Sequence, residues 1–297
     1  MKLSTAPRRP ALRYYGGKWT IAPWIISMMP AHRAYLEPCA GAMSVFFRKP
    51  PAQVEILNDA NSRVCNFFRQ LRDNKTELIR QIDLTPWAED EYKLCKKPAA
   101  DPVEDARRLY VSSWQSVHGV GNSQSGWRFL ADPDGRWGLS PSVDWIGHDL
   151  HNVANRLRRA HIMNRDALAA IKRMAKIETC LIYFDPPYTL EKRTRRDGYS
   201  KFEVTEDWHG EAAELLRRHC GPVLVSGYQS DLYAALYEAH GWKRVDRVFQ
   251  GNSGSLRTES LWLNPATMAA LDCEAIDRQA ALDREEMPLF AHATGKG

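Results

Sequence analysis

The sequence predicts an α/β protein built on an open, mainly parallel sheet, and three observations carry the prediction. The apolar run Cys180-Leu181-Ile182-Tyr183-Phe184 has the length and continuity of a strand buried on both faces of a parallel sheet. It is cut off by Asp185-Pro186-Pro187-Tyr188, whose prolines hold the backbone extended and rigid, so side chains are presented at the strand's C-terminal end. Ligands of open α/β sheets bind at that end. Earlier in the chain, a strand, a turn of small residues, a helix, a second strand and an acid follow in the order of a nucleotide-binding βαβ unit.

The elements can be justified in order. Residues 1–13 read as a loose basic arm. Lys18 to Met29 has helical character and is stopped by Pro30. Ala34 to Glu37 is the first strand, followed by Pro38 and the turn Cys39-Ala40-Gly41-Ala42, then a helix through Ser44 to Arg48. Val54 to Leu57 forms the next strand, ending in Asn58-Asp59, with a helix from about Ala60 to Arg72. Residues 75–118 are charged and helical, whereas 119–147 are rich in Gly, Ser, Asn, Asp and Trp, too long for a mere connection. A helix near Asp149 to Arg159, a strand around His161 to Met163 and a helix after Asp166 restore the α/β pattern before Cys180. Beyond the proline motif come a helix from Trp208 to His219, a strand from Pro222 to Ser226, and a helix Asp231 to Ala239 capped by Ser230. Strands around Lys243 to Phe249 and Glu259 to Leu263 follow, then a helical tail.

At 297 residues the chain has room for one large domain or two modest ones. Its 44% hydrophobic and 26% charged content are those of a soluble globular protein. Arg33, Glu37 and Arg48 interrupt the early apolar stretches, no run reaches membrane-span length, and no signal-peptide core follows the basic N-terminus. Six cysteines are scattered without a CxxC pair, and the histidines show no zinc spacing, so a reducing, cytoplasmic setting and no metal are expected. The net charge of +5 permits a polyanionic partner without requiring one.

The chemistry of the proline motif suits a planar base with an exocyclic amine. Such an amine is a poor nucleophile because its lone pair is delocalised into the ring. Asp185 Oδ and the Pro186 carbonyl could accept both N–H groups and localise that pair on nitrogen, while Tyr188 stacks on the base, worth about 1–3 kcal/mol. The same four residues also fit an Asp-Pro turn that merely ends a strand.

Four pieces stand in order: RYYGGKW at 13–19, EPCAGAMSVF at 37–46, ILNDAN at 56–61 and YFDPPY at 183–188. Together they resemble the Dam-type, alpha-class DNA adenine N6-methyltransferases, which use S-adenosyl-L-methionine. The resemblance implies a Rossmann-like methyltransferase sheet, mainly parallel with a reversed strand near the C-terminus, and an inserted, mostly helical target-recognition region. It places the catalytic domain at 1–72 and 151–265, the DNA target-recognition insertion at 73–150 and a tail at 266–297. Tyr14, Lys18, Glu37, Gly41, Asp59, Asp166 and Asp185 would bind the cofactor, Asp59 through the ribose hydroxyls and Gly41 through close backbone approach. Asp185, Pro186, Pro187 and Tyr188 would be catalytic. Asn122 and Arg128 would read or wedge bases in double-stranded DNA, and Lys192, Arg193, Arg195 and Arg196 would contact phosphates. The adenine would be flipped out of the duplex, at a cost of a few kcal/mol.

Two positions depart from the family: Met43 stands where a second glycine or similarly small residue is usual, and Cys39 where an aromatic is usual. Met43 could pack in the core or touch the cofactor. Asp59 could cap a helix, accept the ribose, or do both. Cytosine-N4 methylation and a catalytically silent DNA-binding relative are the rival readings; the family more often carries Ser in place of Asp185 for cytosine. The resemblance is compatible with a monomer or homodimer, and allows a restriction endonuclease partner without requiring one.

Overall fold

Seven strands make one sheet: β1 (Ala34–Glu37), β2 (Val54–Asn58), β3 (Ala160–Met163), β4 (Cys180–Phe184), β5 (Val223–Gly227), β6 (Lys243–Gln250) and β7 (Leu256–Leu263), in the order β3-β2-β1-β4-β5-β7-β6. The computed structural model describes residues 6–117, 119, 125–128, 149–187, 204–250 and 256–286. β1 pairs in parallel with both β2 and β4, β2 with β3, and β4 with β5. β7 alone runs against its neighbours β5 and β6. The chain order turns back between β1 and β4, which creates a crevice at the carboxyl ends of those two strands.

The central strands β1, β4 and β5 are buried at every position, and their side chains alternate between two cores. Tyr35, Leu181, Tyr183 and Leu224 face one core; Leu36, Ile182, Phe184 and Val225 face the other. The helices are α1 (Ala22–Ser27), α2 (Ser44–Arg48), α3 (Ser62–Asp73), α4 (Lys75–Asp83), α5 (Glu89–Cys95), α6 (Pro102–Gln115), α7 (Leu150–Leu157), α8 (Ala167–Met174), α9 (Glu206–Arg217), α10 (Asp231–Leu236) and α11 (Pro265–Glu286). On the first face, α3 buries Val64, Phe67, Phe68 and Leu71, a helical stripe that meets Leu109 and Tyr110 of α6 and Leu78 and Ile82 of α4. Each such fully buried side chain contributes about 1.5–3 kcal/mol. Helices α4 and α6 thus share a core with the sheet. On the second face lie α8, α9 and α10, through Ile171, Ala213 and Tyr233.

Two boundaries differ from the sequence reading. The first helix begins at Ala22 rather than Lys18; Pro23 sits in its first turn, where its missing N–H costs nothing. α10 stops at Leu236, three residues early, and a short 3-10 turn at Glu238–His240 runs into Gly241, whose φ of 79° reverses the chain. Among the described residues no helix is long and apolar enough to cross a membrane.

Candidate active site

A cavity of about 420 Å³ opens at the switch point between β1 and β4. It is lined by Tyr14, Lys18, Glu37, Gly41, Asp59, Asp166 and Asp185, the seven residues singled out for the cofactor, although they span 172 positions between Tyr14 and Asp185. Strand ends explain the gathering: Glu37 closes β1, Asp59 follows β2, Asp166 follows β3 and Asp185 follows β4.

The Tyr14–Gly17 segment folds over them. It is a turn closed by Gly17 N–H donating to Tyr14 O at 3.0 Å, with Gly16 at φ 76°, a conformation other residues adopt at a cost. Gly41 has φ 48°, and a Cβ there would sit 3.4 Å from the Tyr14 ring. Its N–H donates to Asp59 Oδ2 at 2.8 Å, while Asn61 N–H donates to Asp59 Oδ1 at 2.8 Å. Asp59 therefore ties the β1 turn to the β2 end. It does not cap α3: that cap is Asn61, whose side chain accepts from Arg63 N–H at 3.1 Å. Burial raises the Asp59 pKa against the two backbone donors.

Lys18 is buried, and its ammonium lies 3.0 Å from Asp185 Oδ1 and 3.4 Å from Glu259 Oε1 on β7, while donating to Gly16 O at 3.0 Å. Glu37 is 3% exposed. Tyr35 O–H donates to its Oε1 at 2.7 Å, but Oε2 has no hydrogen-bond partner among the described residues. Burial drives the Glu37 carboxyl up to about 8, against the pull of the Tyr35 hydroxyl, the Lys49 charge and the Phe46 amide. Asp166 caps α8 through Oδ1, accepting from Leu168 N–H at 2.8 Å, as it lines the cavity. Met43 is fully buried in the core and does not line the cavity, so core packing is its role. Its φ of 56° is left-handed, which is the physical reason a glycine suits that position.

Cys39 lines the cavity, yet burial, then Asp59, holds its thiol well above the ordinary range; burial pushes Cys180 to about 12. Neither is an activated nucleophile. Pro186 is buried and Pro187 lines the cavity; Tyr188 lies outside the described residues. So do Asn122, Lys192, Arg193, Arg195 and Arg196. Arg128 does not line the cavity: its N–H donates to Gln115 O at 2.7 Å and its carbonyl accepts from Trp87 Nε1 at 3.2 Å. The sequence reading missed Val204, Thr205 and Trp208, which close the far wall at the start of α9. Thr205 is the α9 cap, accepting from Trp208 N–H at 3.2 Å, and a Thr ahead of Glu206-Asp207 was the available signal.

The sheet order and a recess lined by acids at the strand ends define an α/β protein with a ligand-sized site at its switch point. The family is specific: the pattern of the D12 class N6 adenine-specific DNA methyltransferases matches residues 14–115 and 147–250, and the chain belongs to that family. It is 29% identical over 195 residues to the type II methyltransferase M1.LlaDCHI of Lactococcus lactis subsp. cremoris. That match covers 61% of this chain and 66% of the relative, so it spans just under two thirds of the relative's length. Among solved structures, a precorrin 8W decarboxylase from Methanobacterium thermoautotrophicum aligns over 88% of this chain and 96% of its own, at 7% identity and a TM-score of 0.38. The putative methyltransferase yhhF from Escherichia coli aligns over 82% and 84%, at 11% identity and a TM-score of 0.32. The family assignment does not draw on these distant likenesses.

Proposed function

We propose that the chain methylates N6 of a flipped adenine in double-stranded DNA, with S-adenosyl-L-methionine as donor. The observation that carries this reading is the convergence of all four motifs on one cavity, with Asp185 fixed at its rim by Lys18. The residues fit that cofactor. Gly41 leaves room for close approach, Asp59 keeps lone pairs beyond its two backbone donors for ribose hydroxyls, and Glu37 Oε2 is a buried polar atom with no hydrogen-bond partner among the described residues. When bound, the cofactor supplies an activated methyl group on a sulfonium.

The protein's own task is to hold the amine. Asp185 and the Pro186 carbonyl take its N–H groups and localise the lone pair, and the cavity walls align it, which is catalysis by proximity. An Asp at position 185 favours adenine over cytosine, following the family pattern. Residues 73–150, with Asn122 and Arg128, would read the sequence. Lys192, Arg193, Arg195 and Arg196 would hold phosphates. Free thiols at Cys65, Cys95 and Cys180 fit a reducing cytoplasm. The type II name of the relative is compatible with an endonuclease partner.

The test is cofactor-dependent protection of DNA from a methylation-sensitive nuclease, with single-molecule sequencing to report base and motif. Wild type should yield N6-methyladenine, and Asp185→Ala should abolish it while keeping a cooperative melt. N4-methylcytosine as product, or wild-type turnover by Asp185→Ala, would overturn the reading.

A further inference from the structure

We propose that the β6–β7 hairpin is a DNA-binding arm, whose Arg247 and Arg257 hold backbone phosphates beside the base that enters the cavity. The inference rests on the functional reading above and adds a contact surface to it. Arg257 lies past the last residue matched by the family pattern, and no sequence motif points to either arginine.

Register places the arm. β5 runs out at Gly227, which pairs with Ser260 of β7. Past that point Glu259, Thr258, Arg257 and Leu256 continue as a two-stranded ladder with Arg247, Val248, Phe249 and Gln250 of β6. At about 3.4 Å per residue, the ribbon extends about 13 Å beyond β5. β5 runs parallel to β4, so the overhang lies at the carboxyl edge of the sheet, where the cavity opens. Residues directly opposite in a ladder, or two apart along a strand, share a face. Arg247 and Arg257 therefore stand on the face of Glu259, which lies 3.4 Å from Lys18 of the cavity wall. Arg257 also donates to the hydroxyl of Tyr228, the residue after β5.

Chemistry selects the occupant. A two-stranded ribbon is marginal in water by itself. Phe249 and the buried Glu259 anchor the inner face of this one, while both arginines are exposed. A guanidinium is a permanent charge with a fork of donors that matches phosphate oxygens. Diagonal positions in a ladder are about 7–8 Å apart, close enough for one strand of backbone to meet both side chains. A base flipped into the cavity draws its own backbone across the mouth, and so past the overhang. The outer face of the overhang carries Val248 and Leu256, 59% and 76% exposed, and Thr258, none of which attracts an anion. Arg244, further back on β6, is held by Glu238 and Asp246.

The test measures affinity against salt concentration for full-length variants, on a duplex bearing the motif that single-molecule sequencing reports. In Arg247→Gln/Arg257→Gln the slope of log affinity against log salt should shrink by about 0.9 per contact, or about 1.8 in all. The methylated motif should stay the same, because phosphate contacts carry no sequence information. Arg247→Gln alone, which leaves the Arg257–Tyr228 bond in place, should lose about half of that slope. Arg247→Lys/Arg257→Lys keeps the charge and should restore most of it. Leu256→Thr, on the outer face, should keep the wild-type slope. A wild-type slope in the Gln pair would overturn the proposal. So would a Lys pair as weak as the Gln pair, the mark of a structural role, or a larger loss in Leu256→Thr, which would move the contact to the apolar face. A wild-type protein that yields no methylated motif would instead sink the functional reading, and this inference with it.

Discussion

Glu37→Gln gives the sharpest view of how burial sets the chemistry of this site. In the folded protein the Glu37 carboxyl keeps its proton up to about pH 8, whereas its ordinary value is 4.5. Between those two values the unfolded chain has released a proton that the native chain retains. Native protein binds more protons, so stability falls as pH rises; the contribution is complete below 4.5 and lost as pH passes through 8. The slope approaches about 1.4 kcal/mol per pH unit, or about 2 to 3 kcal/mol between pH 5.5 and 7.5. Gln cannot titrate, so the stability of Glu37→Gln relative to wild type should improve by that amount across the interval. Gln still accepts from Tyr35 O–H, and its amide nitrogen, placed where Oε2 has no partner among the described residues, costs the same at both pH values. Urea melts of the cofactor-free proteins at the two pH values measure this double difference. A value that stays constant within about 0.5 kcal/mol would refute the burial argument.

Three further outcomes follow from the same structure. Asp59→Ala should weaken S-adenosyl-L-methionine binding by about 1.5–3 kcal/mol in calorimetry; unchanged affinity would remove Asp59 from the site. Met43→Gly relieves a left-handed residue worth about 1 kcal/mol but deletes a fully buried side chain worth about 2–5 kcal/mol, so melts should show net destabilisation despite the family's preference for small residues there. Arg156→Ala should cost about 3 kcal/mol, because Arg156 and Lys49 both pair with the buried Glu55, locking α7 to β2. Burial works to raise the Glu55 pKa, but those hydrogen bonds outweigh it and hold the pKa low. The stabilisation is thus present above the ordinary carboxylate range and lost on acidification. Acid unfolding of Arg156→Ala should begin at higher pH than in wild type, and coincident acid transitions would contradict the pairing.

The sequence by itself determined the sheet class, most strand positions and the residues of the cavity floor. Those signals are local: a run buried on both faces, Pro186-Pro187 halting a strand, Gly16 and Gly41 where φ is positive, and acids one step past strand ends. Backbone chemistry writes such features into neighbouring residues. Only the tertiary structure decided what depends on which distant elements meet. Asp59 loses the helix cap to Asn61 because its Oδ2 is turned to Gly41, across the β1–β2 pairing, and its Oδ1 to the Asn61 N–H. Helices α4 and α6 join the core of the sheet because the α3 stripe receives them. Thr205 and Trp208 reach the cavity because α9 starts beside β4. Glu259 reads in sequence as a lone acid in an apolar strand. It meets Lys18, 241 residues earlier in the chain, only because β7, running antiparallel beside β5, carries it inward. A charge pair of that kind is set by strand order and register, and those are properties of the whole sheet rather than of any stretch of it.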